Sequence, residues 1–446
     1  MKYQVAIIGA GPAGYTAAEM AGKAGLSVVL FEKSSVGGVC LNEGCIPTKT
    51  LLYTAKMYDM ARHASKYAMQ VAGAEVDLPK VIARKGKIIR KLVLGIKSKL
   101  TSSNVCLVEG VATVVDKNTV RCGEEVYTCD NLLICTGSET FIPRVEGLDS
   151  ISYWTHKDAL NNKEIPSSLV IVGGGVIGME FASFFSSMGV KVTVVEMQDE
   201  ILGGMDKELA GMLRTEYAKR GVSFCLGTRL TRVSTCAEGI EVQCEKNGET
   251  QILQTEKLLM SVGRRPVYEG LGLENLDLKR TERGLIAVDE HLQTSVPGVY
   301  VCGDLNGVSL LAHTAVREAE VAIHHILGKE DRMSYKAIPG VVYTNPEIAS
   351  VGKSEEELQQ AGITYRALKL PMSYSGRFVA ENEGVNGVCK VLVAEDDTLL
   401  GVHLLGNPAS ELIVMAGMMI EDGRKFTEWK RYVFPHPTVG EIFREL

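Results

Sequence analysis

Two short stretches carry side chains that could do chemistry together. The first is GGVCLNEGCIPTK, residues 37–49, where Cys40 and Cys45 are separated by four residues behind a glycine pair. Thiols at this range support disulfide exchange, which needs a thiolate. A helix starting near Cys40 would favour one through its dipole and exposed amides, and Lys49 adds a positive charge. Spacing alone is weak, because a bare C-x4-C is coincidence more often than not. The second stretch is FPHPTVGE, in which His436 is followed five residues on by Glu441. Histidine titrates near neutrality, and an adjacent carboxylate orients the ring and raises its basicity, so this pair could accept a thiol proton. On physical grounds alone, a histidine so near a terminus is more often an exposed surface residue.

Context strengthens the cysteine reading. Upstream, YQVAIIGAGPAG reads as a buried strand followed by Gly9-x-Gly11-x-x-Gly14 and then a helix. A tight turn, close backbone approach to a pyrophosphate and close helix–strand packing each require a missing Cβ, while the helix N-terminus supplies amide donors. The next apolar run ends at Glu32, where a carboxylate can accept from adenosine ribose hydroxyls. LVIVGGGVIG repeats the device with Gly173, Gly175 and Gly178, and VKVTVVE ends at Glu196. In both copies 23 positions separate the first glycine from the acid. One copy is a weak signal; two in matching contexts predict two bound dinucleotides. An acid at the second strand end, with no basic residue in the following MQDEIL, favours NAD over NADP. Placed directly after a dinucleotide site, Cys40 and Cys45 can have one thiolate against a cofactor ring and the other facing substrate.

Composition bounds the rest. A chain of 446 residues predicts two to four domains at roughly 100–200 residues each. With 48 basic and 54 acidic residues the net charge is −6, of the wrong sign for a phosphate-backbone binder, so no nucleic-acid partner is expected. No apolar run approaches the ~18 residues that span a bilayer, and the N-terminus reads as a first strand rather than a signal peptide. Neither a membrane nor secretion is expected, and the compartment is read as cytoplasmic. Eleven scattered cysteines do not make a secreted disulfide framework. Nine of them lack paired zinc spacing and are read as packing residues, with no metal site.

Between residues 81 and 100, Ile88, Ile89, Leu92, Val93, Ile96 and Leu100 recur at helical spacing opposite a lysine- and arginine-rich face. That face is read as solvated, with partner docking the alternative. Met415, Met418 and Met419 are read as core or dimer packing.

GGVCLNEGCIPTK together with the first glycine turn resembles the pyridine nucleotide–disulfide oxidoreductases, and the resemblance runs the whole chain. Thr136-Gly137 in LLICTGSE and Gly263-Arg264-Arg265-Pro266 resemble the family's strand-end markers. GVYVCGDLNG, with Gly303 and Asp304, resembles its second flavin segment, whose aspartate contacts the ribityl chain. LLAHTA, with Ala312 and His313, resembles the stretch lining the flavin ring, and YTNPEIASVG the opening of the dimerisation domain. The resemblance implies an α/β protein with two Rossmann-like domains and a C-terminal α+β dimerisation domain. It divides into an FAD-binding domain (1–143), an NAD-binding domain (144–267), a second FAD-contacting segment (268–336) and the dimerisation domain (337–446), with breaks near Pro143, Pro266 and Pro339. It further implies FAD and NAD as cofactors, Cys40 meeting substrate, Cys45 facing the flavin, and Lys49 and Glu180 tuning the flavin and gating the nicotinamide side. His436 is implied as the base and Glu441 as its partner, reaching the disulfide of the other subunit of a homodimer. Departures from the family pattern are Val39, Pro435 and Gly440.

The activity implied is oxidation of protein-bound dihydrolipoyl groups to lipoyl with reduction of NAD. The partner would be a lipoyl domain or lipoyl carrier protein of a 2-oxoacid dehydrogenase or glycine cleavage complex. Two alternatives stay open. One is an NAD(P)H-dependent reductase of another small, glutathione-like disulfide, against which Glu196 argues. The other is a flavin-bearing scaffold that has lost turnover, against which the retained cysteines, histidine and glutamate argue.

Overall fold

The structure is a computed structural model and describes every residue except Glu238 and Glu383. The chain divides into two compact units, each assembled from three segments.

The first unit comprises residues 1–48, 83–141 and 264–334. Its parallel sheet runs Val105–Glu109, Val28–Glu32, Lys2–Ile8, Glu125–Ile134 and Val299–Val301 in spatial order. Val5, Ala6, Ile7 and Ile8 are all buried, as expected of a strand covered on both faces, whose apolar run is continuous rather than alternating. The ten-residue strand Glu125–Ile134 pairs with Lys2–Ile8 along one edge and divides the other: its first half pairs antiparallel with Thr119–Cys122, its second half parallel with Val299–Val301. Helix Pro12–Lys23 turns Ala13, Gly14, Ala17, Ala18 and Ala21 inward. These small side chains let it lie close to the sheet and to helix Ala312–Ile326.

The second unit comprises residues 49–82, 142–263 and 335–446. A parallel sheet, Ser223–Cys225, Lys191–Val195, Ser168–Val172 and Lys257–Met260, repeats the strand–turn–helix device with helix Val176–Ser187. Three antiparallel strands, Arg229–Cys236, Gly239–Lys246 and Glu249–Thr255, form a separate layer. The C-terminal part is an antiparallel sheet in the order Gly340–Val342, Ile348–Gly352, Leu399–Leu405, Val388–Val393 and Arg366–Pro371, packed on helix Ala409–Glu421. One core of this unit joins Phe181, Leu209, Leu213 and Tyr217 to Val342, Ile348 and Leu405.

The periodic segment near 81–100 is helix Leu78–Ser102. Val93, Ile96 and Leu100 pack inward, but Leu92 is 40% exposed. At 100° per residue it lies off the 93–96–100 stripe, so it joins the basic face. Met419 is buried and Met415 packs against the C-terminal core, whereas Met418 is exposed beside Val414.

Candidate active site

The two glycine turns are near copies. Gly9 and Gly173 sit at φ +98° and +104°, the left-handed region that a β-carbon disfavours. A Cβ on Gly14 would lie 1.8 Å from the Gly9 carbonyl oxygen, and one on Gly178 1.9 Å from that of Gly173. These outer glycines are demanded by the fold itself. The middle glycines are not: Gly11 and Gly175 have ordinary backbone angles, a Cβ on Gly11 would come no nearer than 4.0 Å to Gly38 Cα, and one on Gly175 would meet nothing within 4 Å. Each begins a 12-residue helix whose first amides receive no side-chain cap. Uncapped amides at a positive helix end, reached past a bare Cα, fit a pyrophosphate. Gly175→Ala is therefore expected to leave the melting temperature within about a degree while weakening NAD binding at least about tenfold, as calorimetric titration would read. An unchanged affinity would show that the space beside Gly175 holds no ligand.

Glu32 and Glu196 do more than the sequence suggests. Glu32 accepts the Ala10 and Ser34 N–H groups, each at 2.8 Å. Glu196 accepts those of Gly174 and Gln198 at 2.6 and 2.7 Å. Each carboxylate pins its glycine turn and its own strand end, and its remaining lone pairs stay open for hydroxyl donors.

Cys40 and Cys45 are joined as a disulfide, with Cα atoms 4.7 Å apart. Cys40 lies in the short helix Gly38–Glu43, and Cys45 is the first residue of the 18-residue helix Cys45–Arg62. The expected helix near Cys40 is present, but the longer one, with the stronger claim on a thiolate, starts at Cys45. A Cβ on Gly38 would lie 2.7 Å from Gly11 Cα, so the cysteine loop rests on the first glycine turn. Asn42 Nδ2 donates to the Val36 and Gly38 carbonyls at 3.1 and 2.9 Å and holds the loop from inside.

The segment at Gly303 and Asp304 meets Ser138 and Glu318, which the sequence did not single out. Ser138 donates to Asp304 Oδ2, and Arg264 donates to Ser138 through Nε to Oγ at 2.8 Å and through Nη2 to the carbonyl at 2.6 Å. Burial pulls the Arg264 guanidinium below its ordinary pKa. Gly303 N–H and Asn306 Nδ2 both donate to the buried Glu318, whose charge on an otherwise apolar helix face was the available signal. Thr136 Oγ1 donates to the Val267 carbonyl at 3.4 Å, and Gly137 turns the chain at φ +70°. Ala312 and His313 open helix Ala312–Ile326, whose N-terminus also lacks a side-chain cap. Gly263 has φ +127° with nothing within 4 Å of its Cβ position.

Lys49 and Glu180 meet: Lys49 Nζ donates to both carboxylate oxygens at 2.9 Å. The same carboxylate accepts the Tyr343 N–H at 3.0 Å, and Lys49 stands 4.4 Å from the Tyr343 ring centre. Burial, then the Glu180 charge, raises the Tyr343 pKa. Glu180→Ala strips two donors of their acceptor and is expected to lower stability by about 1.5–3 kcal/mol in denaturant titration.

His436 Nδ1 lies 3.0 Å from Glu441 Oε1, and Thr438 N–H donates to Oε2 at 2.8 Å. The Thr438 amide and then His436 hold the Glu441 carboxyl below its ordinary pKa, so it stays ionised at neutral pH. An ionised acceptor at Nδ1 places the ring proton there and leaves the Nε2 lone pair outward. The His436 side chain is 82% exposed. Gly440 lies in the turn Val439–Glu441, where a Cβ would approach Met415 Cε to 3.3 Å.

Residues 3–319 match the family described as pyridine nucleotide-disulphide oxidoreductase, and residues 338–446 its dimerisation domain. The chain is 37% identical over 451 residues to a dihydrolipoyl dehydrogenase of Geobacillus stearothermophilus, covering 100% of this chain and 95% of that one. It is 37% identical over 450 residues to a mitochondrial dihydrolipoyl dehydrogenase of Caenorhabditis elegans, covering 98% and 90%. Among solved structures, the HOCl-induced flavoprotein disulfide reductase RclA of Escherichia coli superposes with a TM-score of 0.87 at 29% identity, over 100% of this chain and 99% of that. LpdA of Mycobacterium tuberculosis gives 0.89 at 25%, over 99% of both chains. Likeness of this extent, in sequence and in fold, makes the chain a member of the pyridine nucleotide-disulphide oxidoreductase family.

Proposed function

We propose that the protein oxidises protein-bound dihydrolipoyl groups to lipoyl and reduces NAD, as a dihydrolipoyl dehydrogenase. The observation that carries this is the Cys40–Cys45 disulfide in a loop resting on the first glycine turn, in a chain alike over its full length to enzymes of that name. His436 Nε2 takes a proton from one substrate thiol. The resulting thiolate attacks Cys40 Sγ; a substrate–Cys40 bond forms, the Cys40–Cys45 bond breaks, and Cys45 leaves as a thiolate at the positive end of its helix. The second substrate thiol then attacks its partner sulfur, closing the lipoyl ring, and its proton passes to the displaced Cys40 sulfur, which is released as a thiol.

FAD and NAD are the cofactors. When bound, FAD supplies a two-electron relay between the reduced cysteines and NAD, the terminal hydride acceptor. For FAD the holding residues are Gly9, Gly11, Gly14, Glu32, Thr136, Gly137, Gly303, Asp304, Ala312 and His313, with Lys49 beside the ring. For NAD they are Gly173, Gly175, Gly178, Glu196 and Gly263, with Glu180 on the nicotinamide side. The domain division follows the same lines: FAD-binding over 1–143, NAD-binding over 144–267, a second FAD-contacting segment over 268–336 and dimerisation over 337–446. In the homodimer, His436 and Glu441 serve the disulfide of the other subunit. A lipoyl domain or carrier protein of a 2-oxoacid dehydrogenase or glycine cleavage complex delivers the substrate in the cytoplasm.

The test is a stopped-flow assay of the FAD-loaded dimer with dihydrolipoamide and NAD. NADH formation that saturates in both substrates is expected. No NADH at any pH, with glutathione disulfide reduced instead, would overturn the assignment.

A further inference from the structure

The parallel sheet of the second unit carries the Gly173–Glu196 device, yet the residue that braces it comes from the C-terminal sheet. Lys390, on strand Val388–Val393, has a side chain only 1% exposed. Its ammonium donates to Asp206 Oδ2 at 2.6 Å and to Glu208 Oε2 at 3.0 Å, and it pairs with Glu355. Asp206 is itself 0% exposed and N-caps helix Lys207–Lys219 by accepting the Leu209 N–H at 3.2 Å. A buried ammonium and a buried carboxylate are tolerable only together, so this pair dictates where the helix begins.

What precedes that cap is the segment linking it to the second glycine turn. Leu202 N–H donates to the Gly174 carbonyl at 2.9 Å, while Gly174 N–H is held by Glu196. Leu202 is a non-glycine residue at φ +56°, with its side chain buried in the unit's core. A conformation of that kind persists only where the surroundings hold it. Arg214 clasps Glu200 through Nε and Nη2 at 2.8–3.1 Å, tying the middle of the segment to the helix that Asp206 caps. The segment is therefore tied at three points: Glu200 by Arg214, Leu202 by Gly174, and its far end by the Asp206–Lys390 pair.

We infer that Lys390 is a positioning residue for NAD: through Asp206 it holds residues 197–205 against Gly174, and so keeps the second glycine turn in its binding shape. The inference deepens the proposed function and rests on placing NAD at that turn. Lys390 touches no reacting atom. Its loss acts on dinucleotide affinity and leaves the dithiol half-reaction alone.

The experiment uses the FAD-loaded dimer. NAD binding is titrated calorimetrically, and steady-state constants are measured for NAD and dihydrolipoamide. Lys390→Met should raise Kd and KM for NAD about tenfold or more, with kcat at saturating NAD within about threefold and KM for dihydrolipoamide unchanged. Lys390→Arg, which keeps charge and reach, should restore most of the affinity. Asp206→Ser guards against a folding defect: serine still caps the helix but is too short to reach Lys390, and Glu208 and Glu355 still neutralise the ammonium. It should shift NAD affinity in the same direction. Folded variants that bind NAD within twofold of the parent would overturn the inference, as would equal losses for both substrates. Gly175→Ala separates the two readings. If it abolishes NAD binding while Lys390→Met does not, only the role of Lys390 falls; if neither matters, the NAD site itself is misplaced.

Discussion

Cys45→Ser is expected to abolish NAD-linked dithiol oxidation, by about ten-thousand-fold or more, as when an essential member of a reacting group is removed. The reason is stoichiometric: one sulfur accepts a substrate thiolate only if a second leaves, and in the proposed mechanism Cys45 is the leaving sulfur. Its placement as the first residue of helix Cys45–Arg62 favours the thiolate it becomes. Cys40→Ser should be equally inactive for the complementary reason that the sulfur attacked is gone. Both side chains are only partly buried, so the variants should fold and retain FAD. Thiol titration under denaturing conditions supplies the check: the parent should gain two thiols on reduction and either variant none. Turnover by Cys45→Ser above a hundredth of the parent would remove this disulfide from the mechanism.

His436→Gln is the second large effect, a fall of about 10²–10⁴ in kcat/KM for the dithiol, the range associated with a positioned general base. Electron flow from NADH to an artificial acceptor bypasses the thiol and should be unaffected, which separates loss of the base from loss of the fold. Glu441→Gln should retain a share of activity, because the Thr438 amide still holds the side chain near the ring. The pH dependence has a definite sign. Since its folded pKa is lowered, Glu441 is ionised above the usual carboxylate range, and its support of His436 fades only as pH falls through that lowered value.

The parts of the site legible in the sequence are those written in consecutive residues. Strand, glycine turn, helix and acidic strand end follow one another within each repeat, because period and small-residue spacing are local properties. The cysteine loop was legible for the same reason. Ser138–Asp304 and Lys390–Asp206 were not: their partners lie 166 and 184 positions apart, and no periodicity records which strand end faces which helix cap. The bidentate meeting of Lys49 and Glu180, 131 positions apart, was hidden likewise, although both residues were singled out. One part of the chain's interleaving was also invisible. Residues 49–82 leave the first unit and 83–141 return to it, a consequence of long-range packing that composition does not encode.

The divided strand Glu125–Ile134 has a consequence for how the protein is made. Its second half waits for Val299–Val301, which leaves the ribosome roughly 160 residues later. At roughly 5–20 residues per second that is an interval on the order of ten seconds. During it, the nascent sheet presents an apolar edge, Leu132, Leu133 and Ile134, with unsatisfied amides, the kind of surface that recruits other strands. Vectorial synthesis thus exposes this chain to misassembly at one identifiable place. A chaperone that shielded that edge until the closing strand arrived would prevent it.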